Sequence, residues 1–512
     1  MDSKLVIIIA IVAAAAVGGG AYYYFAHDNG STTFSPNAYP DTYLTVLGNA
    51  NLDNQFSQAD ADAIQNFITS GNPYEYKDYY MYDANFDGVI DQKDVDKVNA
   101  IVTAVGTADP TDVANWADVG KVFYVNVDKK IVSYDMTKTN KVITLIAPPL
   151  DSVLAMGGKN LVVGFDSRIE ASGKYYPEYA NTLNYTNPYL VGSCNDPLTE
   201  VISQAASDLG AINVVCGNSG SYGPNMESTF EGTNVQIIRI ASWEYGETLY
   251  GFMTLGFLLK MNDGAQAYLT QYETYANQVK TFIESIPAAT KESIGAAVAY
   301  GYDMESNEIK LLGISSGEYA NLMTLQPYDS GESYLNGAAT AGHGNLINGE
   351  TVAALYTEHN LKRLILMIGT PFQVKAGSGN AQSTQAAIEA FYAHWESALQ
   401  LSKVSMPNLD YCIAGYSFSS GVSEVLNRLV LAYYLYPGEF IDYFGSGNEE
   451  TARNVIKNAV NWYCGAIGID GKWSFDGTEG SNMVGMNLLY CGSGDHRNIM
   501  YGPASGANPE NF

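Results

Sequence analysis

Two twelve-residue stretches near the start of this 512-residue chain, residues 49–60 and 83–94, share one arrangement of oxygen-bearing side chains. Each has Asn or Asp at positions one, three, five and twelve, which is the ligand schedule of an EF-hand-type calcium loop. Position six is Gly88 in the second loop and Asn54 in the first, and both residue types tolerate the left-handed backbone that the turn requires. The pattern therefore predicts two Ca²⁺ sites, with ligands Asn49, Asn51, Asp53, Gln55, Asp60, Asp83, Asn85, Asp87, Val89 and Asp94.

An apolar periodicity follows each loop and predicts helices over residues 60–69 and 94–105. This duplicated loop and helix resembles a dockerin module. The resemblance implies a calcium-binding unit over residues 44–105 with a cohesin-like protein as a partner. The simpler alternative is an Asn- and Asp-rich surface loop that occurs twice by chance.

The N-terminus has the composition of a membrane-targeting segment. Residues 5–26 are uncharged and mostly apolar, and 22 residues are enough to cross a bilayer as a helix. Tyr22, Tyr23 and Tyr24 would lie at the interface, where aromatic side chains are enriched. We therefore predict a transmembrane anchor over residues 1–26, with a cleavable signal peptide as the alternative. Either element would place the rest of the chain on the cell surface or the periplasmic side of the membrane.

Charge and composition exclude some classes of partner. The formal net charge is −28 with only 26 Lys and Arg, so no basic surface is available to bind nucleic acid. Tyrosine is abundant, with 39 copies, and its apolar ring and polar tip suit wet surfaces and ligand clefts.

The five cysteines are scattered without C-x-x-C spacing, which argues against a structural zinc site. They are Cys194, Cys216, Cys412, Cys464 and Cys491. Disulfides are compatible with a location outside the cell, and because the number of cysteines is odd, at least one thiol is left outside any intramolecular disulfide.

From residue 122 onward, short apolar runs alternate with helical segments, as in parallel βαβ units. The pattern predicts an α/β fold with two Rossmann-like lobes joined by a long helix. The predicted boundaries are a linker over 27–43, the calcium module over 44–105, a second linker over 106–121, the first lobe over 122–264, the interlobe helix over 265–286, the second lobe over 287–445 and a C-terminal extension of unknown role over 446–512.

Three segments of this α/β region carry a resemblance to a known family. They are VITLIAPPLDSVLAMGGKNLVVGFDS at 142–167, YLVGSCNDPLTEVISQAASDLGAINVV at 189–215 and LAYYLYPGEF at 431–440. Their order and spacing resemble the substrate-binding proteins of ABC importers for iron-siderophore, haem and cobalamin. The chain departs from that pattern where residues 207–209 replace the usual Pro-Asp-Leu, and the tail after residue 444 has no counterpart.

The resemblance implies that one acidic residue on each lobe meets basic residues of the membrane permease. Glu200 matches the first position, and Glu350 falls in the equivalent place of the second lobe. A carboxylate in the first turn of a helix is favoured by the helix dipole. The same enrichment supplies the alternative, in which both are ordinary helix-start charges.

Ligand is expected between the lobes, at the carboxyl ends of the strands. Aromatic rings offer planar contact to a chelate, and an arginine can pair with its anionic groups. The predicted contacts are Arg168, Tyr175, Tyr176, Tyr222, Trp243, Tyr245, Tyr302 and Tyr319, although aromatic residues after strands also serve as packing.

No H-E-x-x-H, G-x-S-x-G or P-loop motif occurs, so the sequence does not predict an enzyme. The leading hypothesis is a binding protein that delivers a metal chelate to an ABC permease and ATPase, with ferric siderophore ranked first and corrinoid and haem after it. The alternative is a calcium-dependent surface scaffold or adhesion protein that acts through the dockerin-like module.

Overall fold

The computed structural model describes residues 27–28, 31–32, 34–167, 188–301, 309–314, 316–335, 345–368, 383–401, 403–415, 421–468 and 487–500. They form two compact units, with the division between Thr137 and Lys138. The predicted anchor at residues 1–26 lies outside the described residues. Among the helices that are described, none is long and apolar enough to span a membrane.

The first unit contains the two predicted loops, and each is followed by a helix. Helix α1 (Gln58–Ser70) begins at Ser57 and helix α3 (Gln92–Val105) begins at Asp91, both with a reciprocal capping box. The short helix α2 (Tyr76–Tyr79) lies between them. Helices α1 and α3 pack together through apolar faces whose fully buried members include Ile64, Val98 and Ile101. The predicted helices therefore exist, and each begins two residues earlier than the periodicity indicated.

The first unit also contains two segments that the sequence pattern did not place there. Strands β1 (His27–Asp28) and β2 (Ser31–Thr32) form a short ribbon. The hairpin β3 (Lys121–Val125) and β4 (Ile131–Asp135) pairs with the loop region, because Tyr124 forms a bridge with Val46. Residues 122–137 thus belong to the first unit, and the first lobe starts at residue 138 instead of 122.

The predicted linker over residues 106–121 is wrong. Trp116 is fully buried, and its indole N–H donates to the Pro110 carbonyl at 2.8 Å. A 3₁₀ turn at Val113–Trp116 packs against α3. The predicted linker over 27–43 is also partly packed, since Phe34 is 7% exposed and lies against Tyr80.

The second unit begins with a parallel sheet. Within the described residues its strand order is β11 (Val235–Arg239), β10 (Ile212–Cys216), β5 (Val142–Thr144), β6 (Val162–Phe165) and β7 (Tyr189–Leu190). A small ribbon, β8 (Gly192–Ser193) with β9 (Asp196–Pro197), follows β7. The helices of this first lobe are α4 (Ala147–Ala155), α5 (Thr199–Leu209), α6 (Met226–Thr229) and α7 (Thr248–Leu258).

The predicted interlobe helix is present as α8 (Asn262–Ser285), which at 24 residues is about 36 Å long. Its buried side chains recur at three- and four-residue spacing, from Ala265 through Leu269 and Tyr272 to Phe282. Tyr268 packs its ring against Phe252 of the first lobe at 5.1 Å, and its hydroxyl donates to the Val422 carbonyl of the second lobe at 3.0 Å. The helix therefore contacts both lobes.

The second lobe is built on a mixed sheet. In the described residues the order is β15 (Asn345–Ile347), β13 (Ile309–Leu311), β12 (Gly295–Gly301), β16 (Leu361–Ile368), β17 (Asp410–Gly415), β18 (Asn487–Tyr490) and β19 (Ile499–Met500), with β14 (Tyr328–Asp329) also beside β12. Strands β12, β16 and β17 are parallel, and β18 runs antiparallel to β17. The helices are α9 (Ala288–Ser293), α10 (Gly317–Met323), α11 (Ser330–Leu335), α12 (Gly349–Glu358), α13 (Ser383–Ala398), α14 (Glu424–Leu435) and α15 (Pro437–Gly445).

The C-terminal extension is part of the second unit. Helix α16 (Glu449–Ala466) packs on α15, and its Trp462 stacks on Tyr268 and Tyr275 of α8. Strand β18 then continues the sheet of the second lobe.

Candidate functional site

The two calcium-type loops have the same internal hydrogen bonds. In the second loop, Asp94 at position twelve accepts from the backbone N–H of Asn85 at 3.1 Å and of Asp91 at 2.9 Å. In the first loop, Asp60 accepts from Asn51 at 3.2 Å and from Ser57 at 2.9 Å, at the equivalent positions three and nine. The same pair of hydrogen bonds to the position-twelve aspartate therefore recurs in both loops.

The backbone of the two loops matches at position four and differs at position six. Position four has a positive φ in both loops, 58° at Leu52 and 56° at Phe86, a conformation that costs energy for residues other than glycine. Gly88 at position six of the second loop has φ 87°, whereas Asn54 at position six of the first loop does not have the positive φ that the sequence pattern predicted.

Three carboxylates of these loops are buried and carry no ion pair within the described residues. Asp60, Asp83 and Asp94 are each 0% exposed. Burial raises the pKa of all three, and it raises that of Asp94 to about 7. A buried carboxylate without a counter-charge is costly, and a divalent cation would offset that cost.

A further polar atom in the first loop points to the same kind of ligand. Asn49 is fully buried, and its Oδ1 has no hydrogen-bond partner in the described part of the chain. Its amide nitrogen donates to the carbonyls of Leu44 at 2.9 Å and Asp53 at 2.7 Å, which fixes the direction of Oδ1. An uncharged, oriented oxygen at position one fits Ca²⁺ as a ligand.

The second loop would need one rearrangement to bind a metal. Across the described residues, no group of three or more His, Cys, Asp or Glu side chains converges as a metal cluster. Asp87 instead pairs with Lys93, whose Nζ lies 3.0 Å from Asp87 Oδ2 on the exposed side of the loop. A cation in this loop would have to compete with Lys93 for Asp87.

In the second unit, the loops after strands β10 and β11 are held together by buried polar contacts. Arg239, at the end of β11, is 1% exposed and donates to the carbonyls of Tyr222 at 2.7 Å and Gly223 at 2.8 Å. Its guanidinium also forms a bidentate pair with Glu227. Sequence reasoning missed Arg239, because an arginine at a strand end gives no sign that it turns into the core.

Glu244 fixes the loop that carries two of the predicted ligand residues. Its Oε2 accepts from the backbone N–H of Ser242 at 3.0 Å and of Trp243 at 3.1 Å, and its Oε1 accepts from Asn218 at 3.2 Å. These bonds tie the loop after β11 to the loop after β10. Trp243 is half-buried and packs on the core of the first lobe.

The same loop meets the second lobe at the start of α10. A Cβ added to Gly317 would lie 3.2 Å from the Trp243 carbonyl oxygen, so glycine permits the close approach. Tyr319 lies two residues further on, with its N–H bonded to Ser316 and its hydroxyl to the Asp329 carboxylate. The Trp243 carbonyl and Gly317 therefore form a contact between the lobes, with Tyr245 and Tyr319 each two residues away from it in the chain.

Tyr245 faces the second lobe directly. Its ring centroid lies 5.2 Å from the Arg428 guanidinium, and burial raises the pKa of its hydroxyl. Arg428 donates to Asn321 at 2.9 Å and pairs with Glu424. Tyr245 thus contributes to the contact between the lobes.

A buried polar network continues from this contact to the interlobe helix. Tyr272 of α8 donates to Glu424 at 2.7 Å, and Glu424 is 3% exposed. Burial raises the pKa of the Glu424 carboxyl, while Arg428 opposes that effect. The sequence gives no signal for this network, because Tyr272 and Glu424 are 152 residues apart.

The remaining predicted ligand contacts divide into two groups. Tyr222 is half-buried and covers Gly217, where an added Cβ would lie 2.7 Å from its ring, so it packs on its own loop. The other four lie outside the described residues, namely Arg168, Tyr175, Tyr176 and Tyr302.

Both glutamates that were predicted to meet the permease lie near the start of a helix. Glu200 lies in the first turn of α5 and Glu350 in the first turn of α12, and both are exposed. Each has an exposed leucine close by in the chain, Leu198 at 42% and Leu346 at 59%. Acidic and apolar groups are therefore available together at both places.

Comparison with known proteins finds similarity in shape only. No protein-family model matches the chain, and no curated protein matches it. A TroA-like periplasmic binding protein, FepB from Veillonella parvula, is 14% identical with a TM-score of 0.48, over 66% of this chain and 95% of that one.

Two further solved structures have lower scores. The molybdate-binding protein MolA from Haemophilus influenzae is 13% identical with a TM-score of 0.45, over 67% of this chain and 97% of that one. A periplasmic heme-binding protein from Pseudomonas aeruginosa is 15% identical with a TM-score of 0.40, over 58% and 93%. At such identities and scores, the ligands of those proteins do not transfer to this chain.

Proposed function

We propose that this protein is an extracytoplasmic substrate-binding protein that captures a metal chelate and presents it to an ABC importer, without catalysing a reaction. The observation that carries this proposal is the junction between the lobes. There the loop after β11 meets the start of α10, and both lobes are fastened to one long helix. Ligands of α/β proteins bind at the carboxyl ends of parallel strands, which is where these loops begin.

The chemistry around the junction favours a ligand with planar or aromatic groups. Trp243 and Tyr319 place one aromatic residue from each lobe near the junction, and we propose Arg168 as the partner of an anionic group of the ligand. Ferric siderophore ranks first, with corrinoid and haem after it. Because Tyr222 and Tyr245 are engaged in packing, we assign them a positioning role in the cleft.

Glu200 and Glu350 are proposed to meet the permease. Both carboxylates lie in first helical turns, where the helix dipole favours them, and both are exposed to an approaching cationic partner. Leu198 and Leu346 would add apolar contact beside each charge, because exposed leucines gain free energy when a partner covers them.

The first unit is proposed to bind two Ca²⁺ ions through its paired loops. Asn49, Asp60, Asp83 and Asp94 would supply buried oxygens, and the ion would supply the positive charge that these groups lack. Position-twelve aspartates suit the high calcium concentration outside cells.

Binding of the chelate is tested first on the purified protein. Absorption spectra of protein isolated from its source should show a bound iron chelate, corrinoid or haem, and titration with each of the three should identify one that binds. The substitutions Trp243→Ala and Tyr319→Ala should each weaken that binding by about tenfold. Failure of all three ligand classes to bind would refute the proposal.

Docking is tested separately, in cells or vesicles that contain the importer. Glu200→Ala and Glu350→Ala should each lower uptake by about tenfold while ligand affinity stays unchanged. Glu358→Ala is the matched control, because Glu358 is also exposed and lies at the other end of α12. Equal uptake by all three variants would refute the docking role.

A second candidate function follows from the order of the calcium loops. The dockerin-like unit would bind a cohesin-like protein, and the chain would act as a surface scaffold or adhesion protein. Capture of a cohesin-domain protein that is lost on chelation, together with no binding of any of the three chelates, would favour this function over transport.

A further inference from the structure

Two of the five cysteines are direct neighbours across a pair of strands. Strands β17 and β18 run antiparallel, with Ile413 opposite Tyr490 and Ala414 opposite Leu489. One residue further along the same register, Cys412 lies opposite Cys491. Both side chains are buried, with exposures of 0% and 6%.

The backbone hydrogen bonds of Cys491 show which type of cross-strand pair it forms with Cys412. Its N–H donates to Asn498 Oδ1 at 2.7 Å, and its carbonyl accepts from the Tyr392 hydroxyl at 2.9 Å. Neither group is therefore directed at Cys412, so the two cysteines form a non-hydrogen-bonded pair. In such pairs the Cα atoms approach to about 4.5 Å, which lies within the range that a disulfide spans.

The thiols themselves are in contact. Burial raises the pKa of the Cys491 thiol, and its hydrogen bond with the Cys412 sulfur adds to that effect. The other cysteines have different surroundings. Cys216 Sγ lies 3.6 Å from the Arg239 guanidinium, and Cys194 Sγ lies 2.7 Å from Asn195 Oδ1.

We propose that Cys412 and Cys491 form a cross-strand disulfide that fastens the C-terminal extension to the sheet of the second lobe. The other three cysteines stay reduced. The proposal depends on the proposed function only through the extracytoplasmic location, where disulfide donors are present.

The oxidant is a low-molecular-weight or protein disulfide. One cysteine thiolate attacks a sulfur of the donor, breaks its S–S bond and releases one thiolate. The second cysteine, after losing its proton, attacks the protein sulfur of the mixed disulfide and releases the second thiolate. Two protein thiols are thereby oxidised to one disulfide, and the donor disulfide is reduced to two thiols.

The proposed disulfide would lie where the C-terminal extension joins the second lobe. After β18 the chain returns through Arg497, which pairs with Asp410 next to Cys412, and the Arg453 guanidinium of α16 donates to the Asn498 carbonyl at 2.8 Å. These contacts hold the same strand ends that the disulfide would join. The disulfide would close the loop between residues 412 and 491. In the chain-entropy model, closing such a long loop strongly lowers the conformational entropy of the unfolded chain and thereby stabilises the folded one.

The thiol count tests the proposal. The full chain is incubated with glutathione disulfide, denatured, and alkylated with N-ethylmaleimide before and after reduction. We expect three labels before reduction and five after it, and a non-reduced digest should contain residues 412 and 491 in one linked peptide. Five labels before reduction, or a link between any other pair, would overturn the proposal.

Variants separate the disulfide from a general effect on folding. Cys412→Ser and Cys491→Ser should each give four labels before and after reduction, whereas the control Cys464→Ser should give two and then four. Reduction should lower the Tm of the wild type and of Cys464→Ser by about 5–10 °C and leave that of Cys412→Ser unchanged. An equal Tm for oxidised and reduced wild type would refute the fastening role, and neither outcome depends on chelate binding.

Discussion

If the first unit binds calcium as proposed, Asp94 should couple that binding to pH, and removal of calcium should expose the coupling. The carboxyl is fully buried, and burial raises its pKa from 3.8 to about 7. The folded state therefore holds this proton more tightly than the unfolded chain does. The resulting stabilisation is fully present below about pH 4 and is lost as pH rises through about 7.

The size of the effect follows from the two pKa values. A gap of about three pH units, at about 1.36 kcal/mol each, makes the calcium-free unit less stable by about 4 kcal/mol at pH 8 than at pH 4. Burial raises the pKa of Asp60 and Asp83 as well, and both changes act in the same direction. Calcium should remove this pH dependence of stability, because the ion takes the place of the bound protons. At a free calcium concentration of one hundred times its Kd, it should add about 2.7 kcal/mol to the free energy of unfolding.

Hydrogen exchange of the α3 amides in the full chain measures the opening free energy, after correction for the pH dependence of intrinsic exchange. The wild type is compared in chelator and in excess calcium between about pH 5 and about pH 8. Asp94→Asn should lose most of the pH trend and the calcium response in α3. Asp118→Asn, an exposed control in the same unit, should keep both. A flat pH profile of the chelated wild type would refute the reasoning.

Two further substitutions test packing that the structure assigns. Arg428→Met should destabilise the second unit by about 3–5 kcal/mol, because Glu424 stays buried without its partner. The double variant Glu424→Gln/Arg428→Met should recover part of this lost stability, as measured by thermal unfolding. If the single variant unfolds at the wild-type temperature, the pair does not brace the lobes. Trp116→Ala should cost about 3–5 kcal/mol in the first unit, as measured by hydrogen exchange of α3, whereas the exposed control Val89→Ala should cost almost nothing. If hydrogen exchange of α3 is the same in Trp116→Ala as in the wild type, residues 106–121 behave as a linker.

The features that the sequence predicted well are those with a local cause. The helices after the two loops were predicted to within two residues at each end, and the interlobe helix was displaced by three residues at its start and by one at its end. Apolar periodicity and capping residues act within one or two turns of chain, so they can be recognised without knowledge of the fold.

The features that the sequence did not predict depend on distant partners. Residues 106–121 have the polar composition of a linker, but Trp116 finds a buried place beside α3. The hairpin of β3 and β4 has the pattern of the α/β region, but it pairs with Val46 in the first unit. Local composition cannot distinguish such outcomes, because the deciding contact is made by another part of the chain.

The tyrosines show how a correct physical property was assigned to the wrong place. Their abundance suggested wet surfaces and ligand clefts, yet several of them are buried and donate hydrogen bonds inside the protein. Tyr268 and Tyr272 of α8 donate to Val422 and Glu424 of the second lobe, and Tyr436 donates to the Leu325 carbonyl at 2.9 Å. The two bonds from α8 each contribute about 1 kcal/mol and would break if the second lobe pivoted on α8. The lobes should therefore move little relative to one another, and a ligand bound as proposed would enter a cleft whose shape is already set.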